Sequence, residues 1–142
     1  MPTGVLVVVD TNVLISGLLW RGPPHTLLQR IRNGRLRLSS SPALLRELEA
    51  VFRRTKFQAS INASGLEIPQ VMAELTLIAE VIEPPSLPMP VSRDPDDDEV
   101  LALAIAARAD LIVSGDKDLR AIGSFAGIPI VDSADALVRL GE

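Results

Sequence analysis

The chain has 142 residues, enough for one domain whose folding buries about 68–70% of the unfolded surface. With 47% apolar and 23% charged residues it is globular rather than disordered, and a net charge of −4 argues against a uniformly basic nucleic-acid binder. Cysteine is absent and His25 is the single histidine, which excludes disulfides, thiolate zinc sites, iron–sulfur clusters, a Cys nucleophile and any multi-His metal site.

The continuous Val/Leu run over residues 5–9 predicts a strand buried on both faces. A short helix over 12–19 follows and ends at Gly22-Pro23-Pro24. Leu27, Leu28 and Ile31 stripe the next helix, which Asn33-Gly34 stops. Leu36 and Leu38 alternate with Arg35 and Arg37 as a short strand. Ser41-Pro42 caps and opens a helix carrying Leu44, Leu45, Leu48, Val51 and Phe52. Residues 54–66 show no readable periodicity. Pro69 opens a helix to about Ala79, and Val81-Ile82 reads as a strand. Pro84, Pro85, Pro88 and Pro90 then enforce a loop. Asp94-Pro95 starts a helix to about Ala107, with a strand over 111–113 and a short helix over 117–122. A last strand covers 128–131, and Ser133 caps a final helix to Leu140. This alternation predicts one α/β domain over residues 1–142, a three-layer α/β/α sandwich with a central parallel sheet. In such sheets ligands bind beyond the carboxyl ends of the strands.

Charge is unevenly distributed. Residues 1–56 hold nine basic side chains against three acidic, while residues 57–142 hold five against fifteen. A basic half suits phosphates and an acidic half suits a cation. With no Tyr, and only Trp20, Phe52, Phe57 and Phe125 as aromatics, an extensive base-stacking surface is not expected. No apolar run reaches the ~20 residues of a bilayer span, so no membrane association is expected. The first apolar run has no basic residue before it and stops at Asp10, so it does not read as a signal peptide, and the expected compartment is the cytoplasm.

Three acids fall where such a sheet places its ligands. Asp10 directly follows the first strand, Asp116 follows the strand over 111–113, and Asp98 lies in the first turn of the helix after Pro95. That turn is crowded by Asp94, Asp96, Asp97, Asp98 and Glu99. Part of the crowding is local, since acids favour the positive end of a helix. Asp98 shares a stripe with Leu101, Ala102 and Ile105, and Asp97 shares one with Val100, Leu101 and Ala104, so helical spacing leaves both open. Glu47 interrupts the apolar series of its helix at the edge of the buried face. Two carboxylates about 4 Å apart repel by roughly 4 kcal/mol at an effective dielectric of 20. If these acids converge, protonation or a divalent cation must offset that repulsion. An all-oxygen donor set suits Mg²⁺ or Mn²⁺.

In order along the chain, Val7-Val8-Val9-Asp10-Thr11-Asn12-Val13-Leu14, Ser41-Pro42 with Glu47, Asp94-Pro95-Asp96-Asp97-Asp98, and Val113-Ser114-Gly115-Asp116-Lys117-Asp118-Leu119 resemble the PIN-domain ribonucleases. The resemblance runs from about residue 5 to 132 and is nearest to the VapC-like toxins of toxin–antitoxin pairs. It implies a parallel sheet between helices, RNA as substrate, a homodimer and an antitoxin protein as partner. It also implies an acidic site of Asp10, Glu47, Asp98 and Asp116 holding Mg²⁺ or Mn²⁺. The preference for Asp98 over Asp97 comes from the family's spacing to the last acid. Asn12 and Ser114 match polar positions beside that site, and Asp118 is an outer ligand or a helix cap. Two other readings compete. An aspartyl phosphatase commonly carries a second Asp where this chain has Asn12. A non-catalytic PIN-like module would bind RNA or protein without cutting.

Overall fold

In a computed structural model, residues 4–141 are described; Met1–Thr3 and Glu142 of the expected domain lie outside them. Strand β1 (Leu6–Val9) takes the centre of the sheet because both of its faces are apolar and every residue is buried. Side chains alternate across a strand. Val7 and Val9 accordingly enter one core and Val8 the other.

From β1 the chain enters α1 (Thr11–Leu19) and α2 (Pro23–Arg32), then β2 (Arg37–Ser40). Next come α3 (Pro42–Phe52), α4 (Thr55–Ser64), α5 (Ile68–Ile78) and β3 (Ala79–Val81). After the proline-rich loop follow α6 (Pro95–Ala107), β4 (Leu111–Val113), α7 (Lys117–Ile122), β5 (Ser124–Phe125), β6 (Ile128–Val131) and α8 (Ser133–Leu140). The sheet order is β3-β2-β1-β4-β6-β5. All pairs are parallel except β5 with β6. In register, Val8 stands between Ser39 of β2 and Ile112 of β4.

One apolar layer draws on α1, α2, α4, α5 and α8, with Phe52 of α3 fully buried in it. The other packs Val100, Leu101, Leu103 and Ala104 of α6 and Leu119 of α7 beneath Val8, Ile112 and Ile130. The result is the expected three-layer arrangement, with an antiparallel edge added by the two-residue β5. The segment 54–66, which lacked periodicity, holds a helix that buries only Phe57 and Ile61. The final helix is capped by Asp132, not Ser133: its carboxylate accepts the Asp135 N–H at 2.8 Å. No helix among the described residues is long and apolar enough to cross a membrane.

Candidate metal centre

Asp10 leaves the sheet at the carboxyl end of β1 and is N-cap of α1. Its Oδ1 accepts the Val13 N–H at 2.9 Å. Its Oδ2 accepts a hydrogen bond from the Ser114 hydroxyl. Ser114 is fully buried one residue past β4, and its Oγ also accepts the Asp116 N–H at 2.9 Å. One hydroxyl therefore ties the loop after β4 to the Asp10 carboxylate. Asp116 is itself the N-cap of α7, accepting the N–H groups of Asp118 and Leu119 at 2.7 and 3.2 Å.

A third acid comes from α6, and the structure brings Asp97 rather than the expected Asp98 to Asp10 and Asp116. Asp98 does not line the cavity that holds Asp10 and Asp116. Its carboxylate accepts the backbone N–H of Val91 at 3.2 Å and of Ser92 at 2.8 Å, anchoring the end of the proline-rich loop. It lines a separate cleft of about 420 Å³ with Pro42, Leu87, Met89 and Glu99. Asp97 turns inward instead. It is buried, and its Oδ2 accepts a hydrogen bond from the Ser92 hydroxyl at 3.1 Å. The Asp97 stripe was the buried one: Val100, Leu101 and Ala104 are all buried, whereas Ile105 of the Asp98 stripe is 41% exposed.

Together Asp10, Glu47, Asp97 and Asp116 line a cavity of about 60 Å³, with Thr11, Asn12, Asp94, Asp96 and Val100. That is room for a few waters or a partly hydrated ion. Among the described residues no Lys or Arg lines it. Asn12 is exposed in the first turn of α1 and reaches the rim. Asp118 is exposed and does not line the cavity; the cap at that helix is Asp116. Thr11, Asp94, Asp96, Asp97 and Val100 are the lining residues that the sequence expectation did not select. Thr11 hydrogen-bonds the Glu47 carboxylate. Glu47, Asp96 and Glu99 also place one carboxylate oxygen each within 4.8 Å of one another.

Crowding shows in the acidities. Burial raises the Asp10 carboxyl above its ordinary range, against the opposing Ser114, Val13 and Gly115 hydrogen bonds, and the Asp116 charge adds to the rise. Burial pushes Asp97 up to about 6, with Asp116, Asp94 and Asp10 adding repulsion. Burial and then the Asp96 charge push Glu47 up to about 7. An all-oxygen cavity whose carboxylates resist ionisation fits a hard divalent cation.

Residues 6–118 match the family described as PIN domain. No curated protein sequence matches the chain. Among solved structures, the 2.2 Å structure of VapBC-1 from nontypeable Haemophilus influenzae has a similar fold. The TM-score is 0.56 and the identity 17%, over 92% of this chain and 99% of that one.

Proposed function

This chain belongs to the PIN domain family, and from that premise we propose that it is a Mg²⁺- or Mn²⁺-dependent endoribonuclease. The observation that carries the reading is the cavity where Asp10, Asp97, Asp116 and Glu47 meet with no cation of the protein's own. Asp10, Asp97 and Asp116 would hold the ion, directly or through water. A divalent ion there lowers the pKa of a bound water and offsets charge on a scissile phosphate. Ser114 fixes the Asp10 oxygen, and Ser92 fixes that of Asp97, so both carboxylates are oriented before any ligand arrives. Glu47, held by Thr11 across the cavity, would orient a water or a second ion. The cavity is open to solvent through Asn12 and the exposed start of α6. A backbone phosphate can therefore approach it without a movement of the core.

The fold shared with VapBC-1 supports a narrower reading, that the chain is the toxin of a toxin–antitoxin pair, dimeric and inhibited by an antitoxin protein. An inhibitor could quiet this cavity by placing an Arg guanidinium among the three aspartates, where its charge replaces that of the ion. The test is cleavage of a defined RNA with Mg²⁺, Mn²⁺ or EDTA. Cleavage with either metal, lost in EDTA and lost in Asp10→Asn, is the expected result. Undiminished cleavage in EDTA overturns it. Light scattering at tens of micromolar reads the dimer, and co-expression with neighbouring gene products reads the antitoxin: one of them should bind and block cleavage.

A further inference from the structure

Aromatics are scarce in this chain, yet two of the four meet at one corner outside the acidic cavity. Trp20 follows α1 as its C-cap and Phe57 lies in the first turns of α4. Their ring centroids are 6.3 Å apart, with the planes tilted by 49°. Phe57 is buried, while Trp20 is 49% exposed. The indole thus rests on a fixed support and offers surface to solvent. It also borders a cleft of about 390 Å³ with Leu18, Leu19, Arg21, His25 and Thr26. The His25 Nδ1 is held by donating to the Gly17 carbonyl at 2.9 Å, which sets that wall of the cleft.

The surroundings are cationic. Arg21 follows Trp20 directly, Arg53 and Arg54 form the turn between α3 and α4, and Lys56 lies in the first turn of α4; all four are exposed. The Lys56 Nζ stands 5.0 Å from the Phe57 centroid. The acid at this turn is Glu49, which reaches Arg53 at 3.6 Å across one helical turn. An exposed aromatic platform flanked by cations complements a flexible polyanion that carries flat bases. A duplex is a poor match, because its bases are already stacked within it. Helix α1 has nine residues, so the corner lies on the order of 15 Å from Asp10 at its other end, a distance that a short strand can bridge.

We propose that this corner stacks one base of single-stranded RNA on Trp20 while Arg21, Arg53, Arg54 and Lys56 hold the adjoining phosphates. It leads the strand towards the acidic cavity. The proposal rests on the nuclease reading for the identity of the ligand, and its test is separable from it.

Trp20 is the only tryptophan, so intrinsic fluorescence reads the corner directly. The chain is titrated in EDTA with a short single-stranded uridine RNA, and with the same RNA annealed to its complement. Saturable quenching by the single strand and little by the duplex is expected. Trp20→Ala should weaken binding roughly 10-fold, and Trp20→Phe should retain most of the affinity. Arg53→Ala with Arg54→Ala keeps the indole and should lower the slope of log affinity against log salt by roughly 1.4. Circular dichroism and melting verify that each variant folds. Binding that leaves the fluorescence unmoved, or equal affinity in folded Trp20→Ala, overturns the proposal. So does a shift of Trp20→Ala from dimer to monomer with RNA affinity unchanged, which would assign the face to a second copy. Cleavage with Mn²⁺ reads the other site independently. Quenching without cleavage keeps this corner and removes the nuclease, and cleavage without quenching does the reverse.

Discussion

Successive residues on an α-helix point about 100° apart, and on α6 that step separates Asp97 from Asp98. Asp97 shares the Asp10 cavity, and Asp98 holds the backbone of Val91 and Ser92. On the nuclease reading, Asp97→Asn should lower the cleavage rate by on the order of 100-fold or more. Asp98→Asn keeps an acceptor for the loop and should cut at close to the parent rate. Asp98→Ala should cost about 1–2 kcal/mol of stability by removing the carboxylate that accepts from two backbone N–H groups. Steady-state cleavage and chemical denaturation check the three variants, and equal losses in both Asn variants would contradict the placement. The same residues set a pH dependence. Asp97 rises from 3.8 to about 6 on folding and Glu47 from 4.5 to about 7. The folded chain therefore keeps protons that the unfolded chain has released between about pH 4 and pH 7. Metal-free stability falls as pH rises through that window. Glu80, held low by Arg37, acts in the opposite sense but below about 4.5. Binding of Mn²⁺ needs the carboxylates ionised, so its affinity rises through the same window. In EDTA the Tm should be higher at pH 5 than at pH 7.5, and saturating Mn²⁺ should narrow or reverse the difference. A Tm in EDTA that climbs steadily with pH would show the acids to be relaxed rather than crowded.

At the level of elements, the α1–α2 hairpin is fitted to one missing methyl. A Cβ at Gly17 would lie 2.7 Å from the Pro24 carbonyl oxygen and 3.1 Å from its carbon. Alanine gains helix propensity, worth about 1 kcal/mol, but the clash is with backbone and cannot be relieved by a rotamer. Gly17→Ala should therefore destabilise by about 1–2 kcal/mol, and thermal melting should show it as a fall of roughly 3–6 °C. An unchanged Tm would mean that the two helices separate freely. Elements of this kind were legible where burial dictated the pattern. β1, β4 and α6 are written as apolar runs and stripes because their neighbours fill both sides. Helix α4 was not, since it buries two side chains and leaves the rest to solvent. Strand β5 escaped because two residues carry no period. Its turn, Ala126-Gly127, has positive φ at both residues, 52° and 81°, and alanine holds the first place where Asn, Asp or Gly would complete the usual hairpin signal. The acidic site was legible as a set, since three acids follow strand ends or open a helix. The choice between Asp97 and Asp98 was not, because it depends on whether Ala104 or Ile105 meets the sheet.

For the molecule as a whole, converging carboxylates make stability depend on a ligand. A cation that binds only the folded state adds about 2.7 kcal/mol at a hundredfold excess over Kd. Saturating Mn²⁺ should raise the Tm at pH 7.5, and Asp97→Asn with Asp116→Asn should raise the metal-free Tm and erase that gain. A parent Tm insensitive to Mn²⁺ would count against a shared ion. The topology adds a matter of timing. The Ser114 hydroxyl that fixes Asp10 comes from 104 residues further along the chain. Strand β1 is flanked by β2, which follows it closely, and by β4, which does not. During synthesis, the amino-terminal portion can pair β1 with β2 long before the strand that brings Asp116 has left the ribosome. Until β4 docks, Asp10 lacks both the Ser114 hydroxyl that fixes its carboxylate and the Asp116 carboxylate across the cavity. On the nuclease reading, a chain stalled before Leu111 lacks Ser114 and Asp116 and should not cut the message from which it is being read.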